Sequence, residues 1–262
     1  MAAMQDAPPL GYFVSCIISN MEKDLKIALP DKKNLYGTLA RAKKKSDALV
    51  LFVHGFTGHR NEHIFFNAAK IFASHGFDTF RFDLYGGGKR ARRFRDTTIR
   101  LHGLDITRAV SYFRKQYRRI FVVGHSYGGT SLLFADQSAI DGFIFWDASY
   151  IEWKYDKEGL VFNKFLGAYL LDWGIEYVVG KPFVEELIHF PDCGKLIADI
   201  RKPVLFVTAS KHGNAKAGKK YFKMANNPKK LIDIKGANHT FDTHSAEDDL
   251  LEATLAWLRL QR

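Results

Sequence analysis

The sequence predicts an α/β fold, with a mostly parallel central sheet that carries helices on both faces. Three observations favour this fold. The length of 262 residues suits one large domain, or one domain with an insertion. Hydrophobic residues make up 47% of the chain, which is enough for a sizeable core. After residue 47, apolar runs alternate with segments of helical spacing, as is typical of parallel strands joined by right-handed crossovers.

The stretch ALVLFVHG is a continuous apolar run that ends in glycine, which is typical of a strand covered on both faces. In chain order the predicted strands are ALVLFVHG, FDTFRFD, IFVVGHS, GFIFWD, PVLFVTA and KKLIDIK. Helical spacing predicts helices over residues 61–75, 97–117 and 246–260, and a further helix that begins at Tyr127. The first forty residues alternate loosely and break at Pro30, which predicts two or three antiparallel strands ahead of the parallel ones.

One long segment interrupts the alternation. Residues 150–200 separate two core strands by about fifty residues, more than a usual connection. We expect a small helical cap here, over the carboxyl edge of the sheet, with residues 1–149 and 201–262 forming the core domain. The segment is rich in aromatic residues, which either pack the cap onto the core or line a pocket: Trp153, Tyr155, Phe162, Phe165, Tyr169, Trp173, Tyr177, Phe183 and Phe190.

The net charge of +11 comes from 39 basic and 28 acidic side chains. Basic clusters such as RAKKK and GKRARRFR could attract an anionic partner, or they could form a solvated surface. The second interpretation is favoured because no nucleic-acid-binding motif accompanies the charge, so no specific nucleic-acid partner is expected.

Cysteine usage and hydropathy predict a cytoplasmic protein. Cys16 and Cys193 lie far apart without metal-ligand spacing, which suits a reducing compartment. The sequence contains no run of eighteen apolar residues, so no membrane span is predicted. The stretch LGYFVSCIIS follows an acid rather than a base, which is not typical of a signal peptide.

The stretch GHSYGG, residues 124–129, carries the strongest chemical signal. It fits the pattern G-x-S-x-G and lies between an apolar strand and a helix, the context that marks a nucleophile elbow. A sharp turn there lifts the Ser126 hydroxyl out of the sheet, and the crowded turn requires small neighbours such as Gly124 and Gly128. Ser126 is therefore the predicted nucleophile.

A serine nucleophile needs a base and a site for the developing oxyanion. His239, in the stretch GANHTFD between the last strand and the last helix, is the predicted general base. The loop HGFTGHRNE follows the first long parallel strand, and its Phe56 N–H is one predicted oxyanion donor. The N–H of Tyr127, directly after the nucleophile, is the other.

With these motifs the chain resembles the α/β-hydrolases, and within them the feruloyl (cinnamoyl) esterase group. The stretches that carry the resemblance are HGFTGHRNE, FRFDLYGGGK, VVGHSYGGTS and NHTFDTH, within a strand–helix order that spans about residues 48–260. The resemblance implies the α/β-hydrolase fold, hydrolysis of a carboxylic ester by Ser126 and His239, and a short insertion that shapes substrate choice.

The chain departs from this pattern at the third catalytic residue. Similar esterases carry an aspartate in a motif like H-G-x-x-D after the strand PVLFVTA, whereas here the stretch TASKH has His212 at the matching place. The preceding core strand ends in Asp147, and functional groups gather at the carboxyl ends of parallel strands. Asp147 is therefore predicted to orient His239. Its alternative role is to cap the first turn of the insertion. Asp242 is expected to fix its own loop or start the last helix, and Asp83 to hold the loop beneath the site.

Taken together, the motifs predict a serine hydrolase that cleaves a small-molecule ester or thioester without a metal or organic cofactor. A peptidase or carbon–carbon bond hydrolase of the same fold is an alternative. A binding protein with a degenerate site is another, suggested by the missing aspartate, but intact Ser126 and His239 favour an enzyme. Nothing in the sequence indicates the oligomeric state.

Overall fold

The computed structural model describes residues 22–151, 160–172 and 175–262 of the chain. Within these ranges eleven strands and seven α-helices are present. The strands are β1 Glu22–Ala28, β2 Asn34–Ala40, β3 Ala48–Val53, β4 Asp78–Asp83, β5 Arg119–His125, β6 Gly142–Trp146, β7 Leu160–Asn163, β8 Ala168–Asp172, β9 Glu176–Val179, β10 Val204–Ala209 and β11 Lys229–Ile234. The helices are α1 His63–Ser74, α2 Ile99–Phe113, α3 Tyr127–Leu132, α4 Lys181–Ile188, α5 Cys193–Ala198, α6 Asn214–Met224 and α7 Ala246–Gln261.

Eight strands form one sheet in the order β1-β2-β4-β3-β5-β6-β10-β11. The strands from β4 to β11 pair in parallel, and β1 and β2 add an antiparallel edge. Every residue of β3, β4, β6 and β10 is buried, which explains why β3, β6 and β10 appear in the sequence as apolar runs. The predicted fold class and its mostly parallel sheet are confirmed.

Helices cover both faces of the sheet and create two apolar cores. On one face, α1 and α7 pack Phe65 and Trp257 against strand residues such as Trp146. On the other face, α2, α3 and α6 contribute side chains such as Phe113 and Tyr221. The buried Trp146 indole donates to Thr254 Oγ1 of α7 at 3.0 Å, so its N–H is satisfied.

The N-terminal hairpin matches the predicted antiparallel strands. β1 and β2 pair from Glu22 opposite Ala40 to Ala28 opposite Asn34, and the turn between them contains Pro30. The earlier part of that prediction, residues 1–21, lies outside the described residues.

The chain between β6 and β10 contains more than the predicted helices. Helices α4 and α5 are present, but β7, β8 and β9 also form a separate three-stranded antiparallel sheet. Gly167 turns the chain between β7 and β8 at a φ of 59°, a conformation that glycine adopts at little cost. The strands are only four or five residues long. So few residues give too little alternation to distinguish a strand from aromatic packing, and the sequence prediction therefore omitted this sheet.

This insertion is joined to the core at the start of α2. The Glu186 carboxylate of α4 accepts from the backbone N–H groups of Ile99 and Arg100 at 2.5 and 2.9 Å. Those N–H groups have no acceptor within their own helix, and a negative charge is favourable at a helix N-terminus. Among the described residues, none of the helices is both long and apolar enough to cross a membrane.

Candidate active site

The turn after β5 has the shape of a nucleophile elbow. Ser126 has φ 54° and ψ −125°, a strained conformation for a residue with a side chain, which costs about 1–3 kcal/mol. The residues two positions before and after it must be glycine. A Cβ at Gly124 would lie 2.6 Å from the Gly128 carbonyl oxygen, and one at Gly128 would lie 2.4 Å from the carbonyl oxygen of Val53. The turn therefore holds Ser126 between the end of β5 and the start of α3.

Asp147 lies directly after β6 and is completely buried. Its backbone N–H continues the ladder by donating to Val207 O at 2.7 Å. A φ of 41° then turns the side chain toward the end of β10, where Oδ1 accepts from the Ala209 N–H at 3.0 Å. The Asn214 side chain donates to the Asp147 carbonyl at 2.8 Å, so both the carboxylate and its backbone are fixed.

The second carboxylate oxygen of Asp147 faces His239. Oδ2 lies 2.6 Å from Nδ1 of His239, a short distance that is typical of a charge-assisted hydrogen bond. Because a carboxylate oxygen can only accept, Nδ1 of His239 carries the proton and Nε2 is free to accept one. This is the tautomer that a general base for a serine requires.

The loop that carries His239 is fixed by the residue before the elbow serine. His125 Nε2 lies 2.8 Å from the backbone carbonyl of His239, which can only accept, so His125 donates. Burial, followed by the positive charge that His239 can carry, lowers the pKa of His125 to about 3. His125 is therefore neutral, and its proton is held on Nε2 by this contact.

The Ser126 hydroxyl does not contact His239 within hydrogen-bond distance. Among the described residues, Ser126 Oγ makes its hydrogen bond with Ser149 Oγ, at 3.4 Å. Serine–histidine contacts of this kind are often long before substrate binds and shorten in the substrate complex.

His212 occupies the loop position where the aspartate was expected, and it contacts the same carboxylate. Its Nδ1 lies 2.8 Å from Oδ2 of Asp147. The His212 and His239 rings stack with their centroids 4.2 Å apart and their planes at 27°. Asp147 therefore faces two imidazoles on one oxygen, an arrangement that sequence reasoning missed.

The loop after β3 is braced so that one of its peptide units has a fixed direction. The Gly55 carbonyl accepts from His54 Nδ1 at 2.9 Å and from the Tyr85 hydroxyl at 3.2 Å. His54 Nε2 accepts from the Leu84 N–H at 3.0 Å, so its proton lies on Nδ1. The carbonyl and the N–H of a trans peptide point in opposite directions, and the Phe56 N–H therefore points away from these donors.

This braced loop lies against the elbow. A Cβ at Gly55 would lie 3.5 Å from Ser126 Oγ, and the Phe56 and Tyr127 rings are 5.4 Å apart. Tyr127 is the first residue of α3, so its N–H has no acceptor within the helix. The two predicted oxyanion donors thus belong to residues that adjoin each other and Ser126.

The two other acids that the sequence singled out lie away from the His239 ring nitrogens. Both Asp242 oxygens accept from neighbours in its own loop, from Asn238 Nδ2 at 2.6 Å and from Thr240 Oγ1 at 2.9 Å. Asp83 accepts from both the backbone and the guanidinium of Arg60 at 2.8 Å, which holds the loop after β3.

Two small apolar cavities lie between the elbow and the insertion, and each has a volume of about 10 Å³. That volume admits about one water molecule. One cavity includes His102, whose buried Nε2 has no hydrogen-bond partner within the described part of the chain. The other is lined by Phe56, Tyr127, Leu160, Leu171, Val179, Phe183, Val184 and Leu187. Trp153, Tyr155 and Trp173, which were also predicted to lie in this region, fall outside the described residues.

A larger cleft of about 500 Å³ lies elsewhere, beside β1 and β2. Arg60 and Asn61 of the loop after β3 line this cleft, but Ser126, His239 and Asp147 do not. Its charged groups already pair with one another, as in the ion pair of Arg81 and Glu22 at 2.8 Å. We therefore place the candidate site at the elbow rather than in this cleft.

The parallel sheet, the elbow after β5 and the histidine loop after β11 together define an α/β-hydrolase. The family model described as "Serine aminopeptidase, S33" matches residues 44–177, just over half of the chain. The chain belongs to this hydrolase family. No curated protein sequence matches it.

Solved structures with the same fold cover nearly the whole chain. Est1E from Butyrivibrio proteoclasticus with ferulic acid bound has a TM-score of 0.77 at 24% identity, covering 90% of this chain and 98% of that one. The esterase domain of a Rhodothermus marinus protein has a TM-score of 0.70 at 20% identity, covering 91% and 98%. A dienelactone hydrolase from Anabaena variabilis has a TM-score of 0.65 at 16% identity, covering 91% and 96%. At these identities the likeness shows the fold alone.

Proposed function

We propose that the protein is a serine hydrolase of carboxylic esters or thioesters, with Ser126 as nucleophile, His239 as general base and Asp147 as the acid that orients it. The observation that carries the proposal is the 2.6 Å contact from Asp147 Oδ2 to His239 Nδ1, beside a serine on a strained elbow. It gives His239 the tautomer that the reaction needs, although the acid is missing from the loop after β10.

The reaction proceeds through an acyl-enzyme. Ser126 Oγ attacks the carbonyl carbon of the ester while Nε2 of His239 takes the hydroxyl proton, and Asp147 stabilises the resulting imidazolium. His239 then gives that proton to the leaving alcohol or thiol. Water repeats the sequence on the acyl-enzyme, which releases the acid and restores the Ser126 hydroxyl.

The N–H groups of Phe56 and Tyr127 stabilise the oxyanion that forms in each half of the reaction. Two such donors fixed before the reaction act where the negative charge develops, and losing one costs about 3–4 kcal/mol in related chemistry. The Gly55 carbonyl, held by His54 and Tyr85, fixes the Phe56 N–H in advance.

The acyl group occupies the apolar region between the elbow and the insertion. Its lining is almost entirely aliphatic and aromatic, which favours an apolar or aromatic acid. The ferulic acid bound to Est1E, a protein of the same fold, is an aromatic acid of this kind. Because each cavity holds only about 10 Å³, side chains of the insertion such as Phe183 must move to admit the acid.

The proposal is tested with a fluorophosphonate label and a panel of p-nitrophenyl esters. The label reacts only with an activated serine, so the wild type and Ser149→Ala should be labelled and Ser126→Ala should not. Ser149→Ala is the matched control because its hydroxyl lies 3.4 Å from Ser126 Oγ. Bulky or aromatic acyl esters should show kcat/KM at least as high as acetate. Labelling of Ser126→Ala, or turnover by it within tenfold of the wild type, contradicts the proposal.

A peptidase is the second candidate, and the family description favours it. Aminoacyl p-nitroanilides distinguish the two, since a peptidase turns over these amides, whereas an esterase hydrolyses only the esters of matched acyl groups.

A further inference from the structure

Asp147 and the two histidines that contact it have the composition of a metal site. One ligand atom from each of Asp147, His212 and His239 lies within 4.8 Å of the others. The three residues come from the loops after β6, β10 and β11, whose carboxyl ends are adjacent in the sheet. No spacing in the sequence joins them, which is why they do not form a recognisable metal motif.

We propose that Asp147, His212 and His239 bind Zn²⁺, and that the bound ion inhibits hydrolysis. Two imidazoles and a carboxylate with an open fourth position form a ligand set that Zn²⁺ takes in proteins. Both Nδ1 atoms already point at Oδ2 of Asp147, at 2.8 Å from His212 and 2.6 Å from His239. The Nδ1 atoms of both histidines therefore face one carboxylate oxygen, and their lone pairs become available to an ion when their protons leave.

The ligands must separate slightly to accept the ion. Zinc–ligand bonds of about 2.0–2.1 Å in a tetrahedral site put neighbouring ligand atoms about 3.3 Å apart. Asp147 cannot provide this movement, because its side chain is fully buried and Oδ1 is held by the Ala209 N–H. The His212 side chain is 39% exposed and that of His239 is 29% exposed, so the histidines can shift and water can reach the fourth position.

Inhibition follows from the tautomer, and this part of the inference rests on the proposed function. In the active form His239 carries its proton on Nδ1 and accepts the serine proton on Nε2. When Zn²⁺ binds Nδ1, the single proton of the neutral imidazole must move to Nε2. That nitrogen then donates instead of accepting, so it cannot take the Ser126 proton and acylation stops.

Zinc binding is measured by competition with a chromophoric chelator, on Ser126→Ala, which keeps all three ligands and has no turnover. One Zn²⁺ should bind per chain. His212→Asn in the same background can still donate to Asp147 but offers no imidazole lone pair. Its affinity should fall by at least the ~10–100-fold that the loss of an outer-shell partner costs in known sites. Mg²⁺ should not compete, because it prefers six oxygen ligands.

The matched control is His75→Asn. His75 follows α1 and precedes β4, so it lies at the opposite edge of the sheet from the carboxyl ends of the strands. The His75→Asn variant should bind Zn²⁺ with the affinity of the wild type. Equal affinity in His212→Asn and His75→Asn, with folding checked by circular dichroism, overturns the site. His212→Gln repeats the test if His212→Asn does not fold.

Activity then separates this inference from the proposed function. Each variant with an intact Ser126 is assayed with and without Zn²⁺, and the ratio of the two rates is compared. The wild type and His75→Asn should be inhibited over the range in which Zn²⁺ binds, and His212→Asn should resist. Zinc binding through His212 without any ester hydrolysis would support the site and overturn the proposed function. Ester hydrolysis without zinc binding would support the proposed function and overturn the zinc site.

Discussion

Replacing Asp147 by asparagine should switch the tautomer of His239 while the shape of the site is kept. The backbone N–H of Ala209 points at Oδ1 of Asp147, at 3.0 Å, and it can only donate. An asparagine at this position must therefore place its amide oxygen there. Its NH₂ group then takes the place of Oδ2, where it faces Nδ1 of His239 and Nδ1 of His212 as a donor. His239 must accept at Nδ1 and carry its proton on Nε2, the wrong nitrogen for a base.

These contacts set limits on the loss of kcat in Asp147→Asn. The opposite amide orientation would restore the active tautomer, but it leaves the buried Ala209 N–H unsatisfied, which costs about 1–3 kcal/mol. The active orientation is therefore disfavoured about 5- to 150-fold. Loss of the negative charge that stabilises the imidazolium adds to this, and the equivalent change in a serine protease lowers kcat by about 10⁴. We expect a fall in kcat between these limits, with KM little changed.

The assay is steady-state hydrolysis of a p-nitrophenyl ester, with histidine side-chain ¹⁵N spectra to report the tautomer. Asp233→Asn is the matched control, because Asp233 is exposed on β11 and its carboxylate accepts from Thr208 Oγ1. It should keep activity to within about twofold, as surface changes usually do. If Asp147→Asn loses less than fivefold while its fold is intact, the reasoning fails, and a carbonyl or a bare serine–histidine pair must orient the ring.

Two other predictions concern buried groups around the site. Tyr85→Phe removes one donor to the Gly55 carbonyl, and since a hydrogen bond is worth about 0.5–1.5 kcal/mol, kcat should fall about 2- to 12-fold without a change in KM. An unchanged kcat would show that the remaining donors hold the peptide alone. Burial lowers the pKa of His54 to about 4 and those of His102 and His125 to about 3. The unfolded chain therefore binds more protons than the folded one below about pH 6.5, so the free energy of unfolding should decrease as the pH is lowered, by up to about 4 kcal/mol per pH unit for the three together. His102→Leu should reduce that slope by about a third and stabilise the protein at pH 7, because His102 Nε2 has no partner among the described residues. Denaturant unfolding between pH 5 and pH 7 measures both effects, and an unchanged slope would contradict the argument.

The sequence predicted those parts of the fold that depend on local pattern. β3, β5 and β10 were visible because strands buried on both faces are continuous apolar runs. Helix α6 was not predicted, since Gly213 at its N-cap provides no side-chain hydrogen bond and Gly218 interrupts it. That glycine is needed by the packing: a Cβ there would lie 2.1 Å from Thr208 Cγ2. The helix is therefore defined by tertiary contact rather than by a signal in its own residues.

The residues of the candidate site also divide into those that a local pattern predicts and those that depend on tertiary contacts. Ser126 and His239 could be proposed from motif and chain order, and Asp147 from the carboxyl end of its strand. The supporting contacts of His125 and Tyr85 could not be proposed, because each joins loops that are distant in the sequence. The one available signal for His125 was its place inside the G-x-S-x-G pattern, which fixes it beside the serine but says nothing about its partner. The catalytic roles themselves stay predictions until the variants are measured.

The acid that orients the histidine can follow a different strand, because the reaction fixes the position of the carboxylate oxygen and not the strand that carries the residue. The β6–β10 register pairs Trp146 with Val207, and Asp147 continues it by one residue, so its side chain lies across the end of β10. It therefore reaches His239 from the place that an acid on the loop after β10 would occupy, and His212 fills the loop position itself. It follows that His212→Asp should not improve the enzyme. A second carboxylate on the Asp147 oxygen would replace a favourable contact by like-charge repulsion, which raises the pKa of one of the two acids and favours a shared proton. We expect unchanged or lower kcat and a lower melting temperature, and a rise in kcat would mean that Asp147 does not serve as the acid.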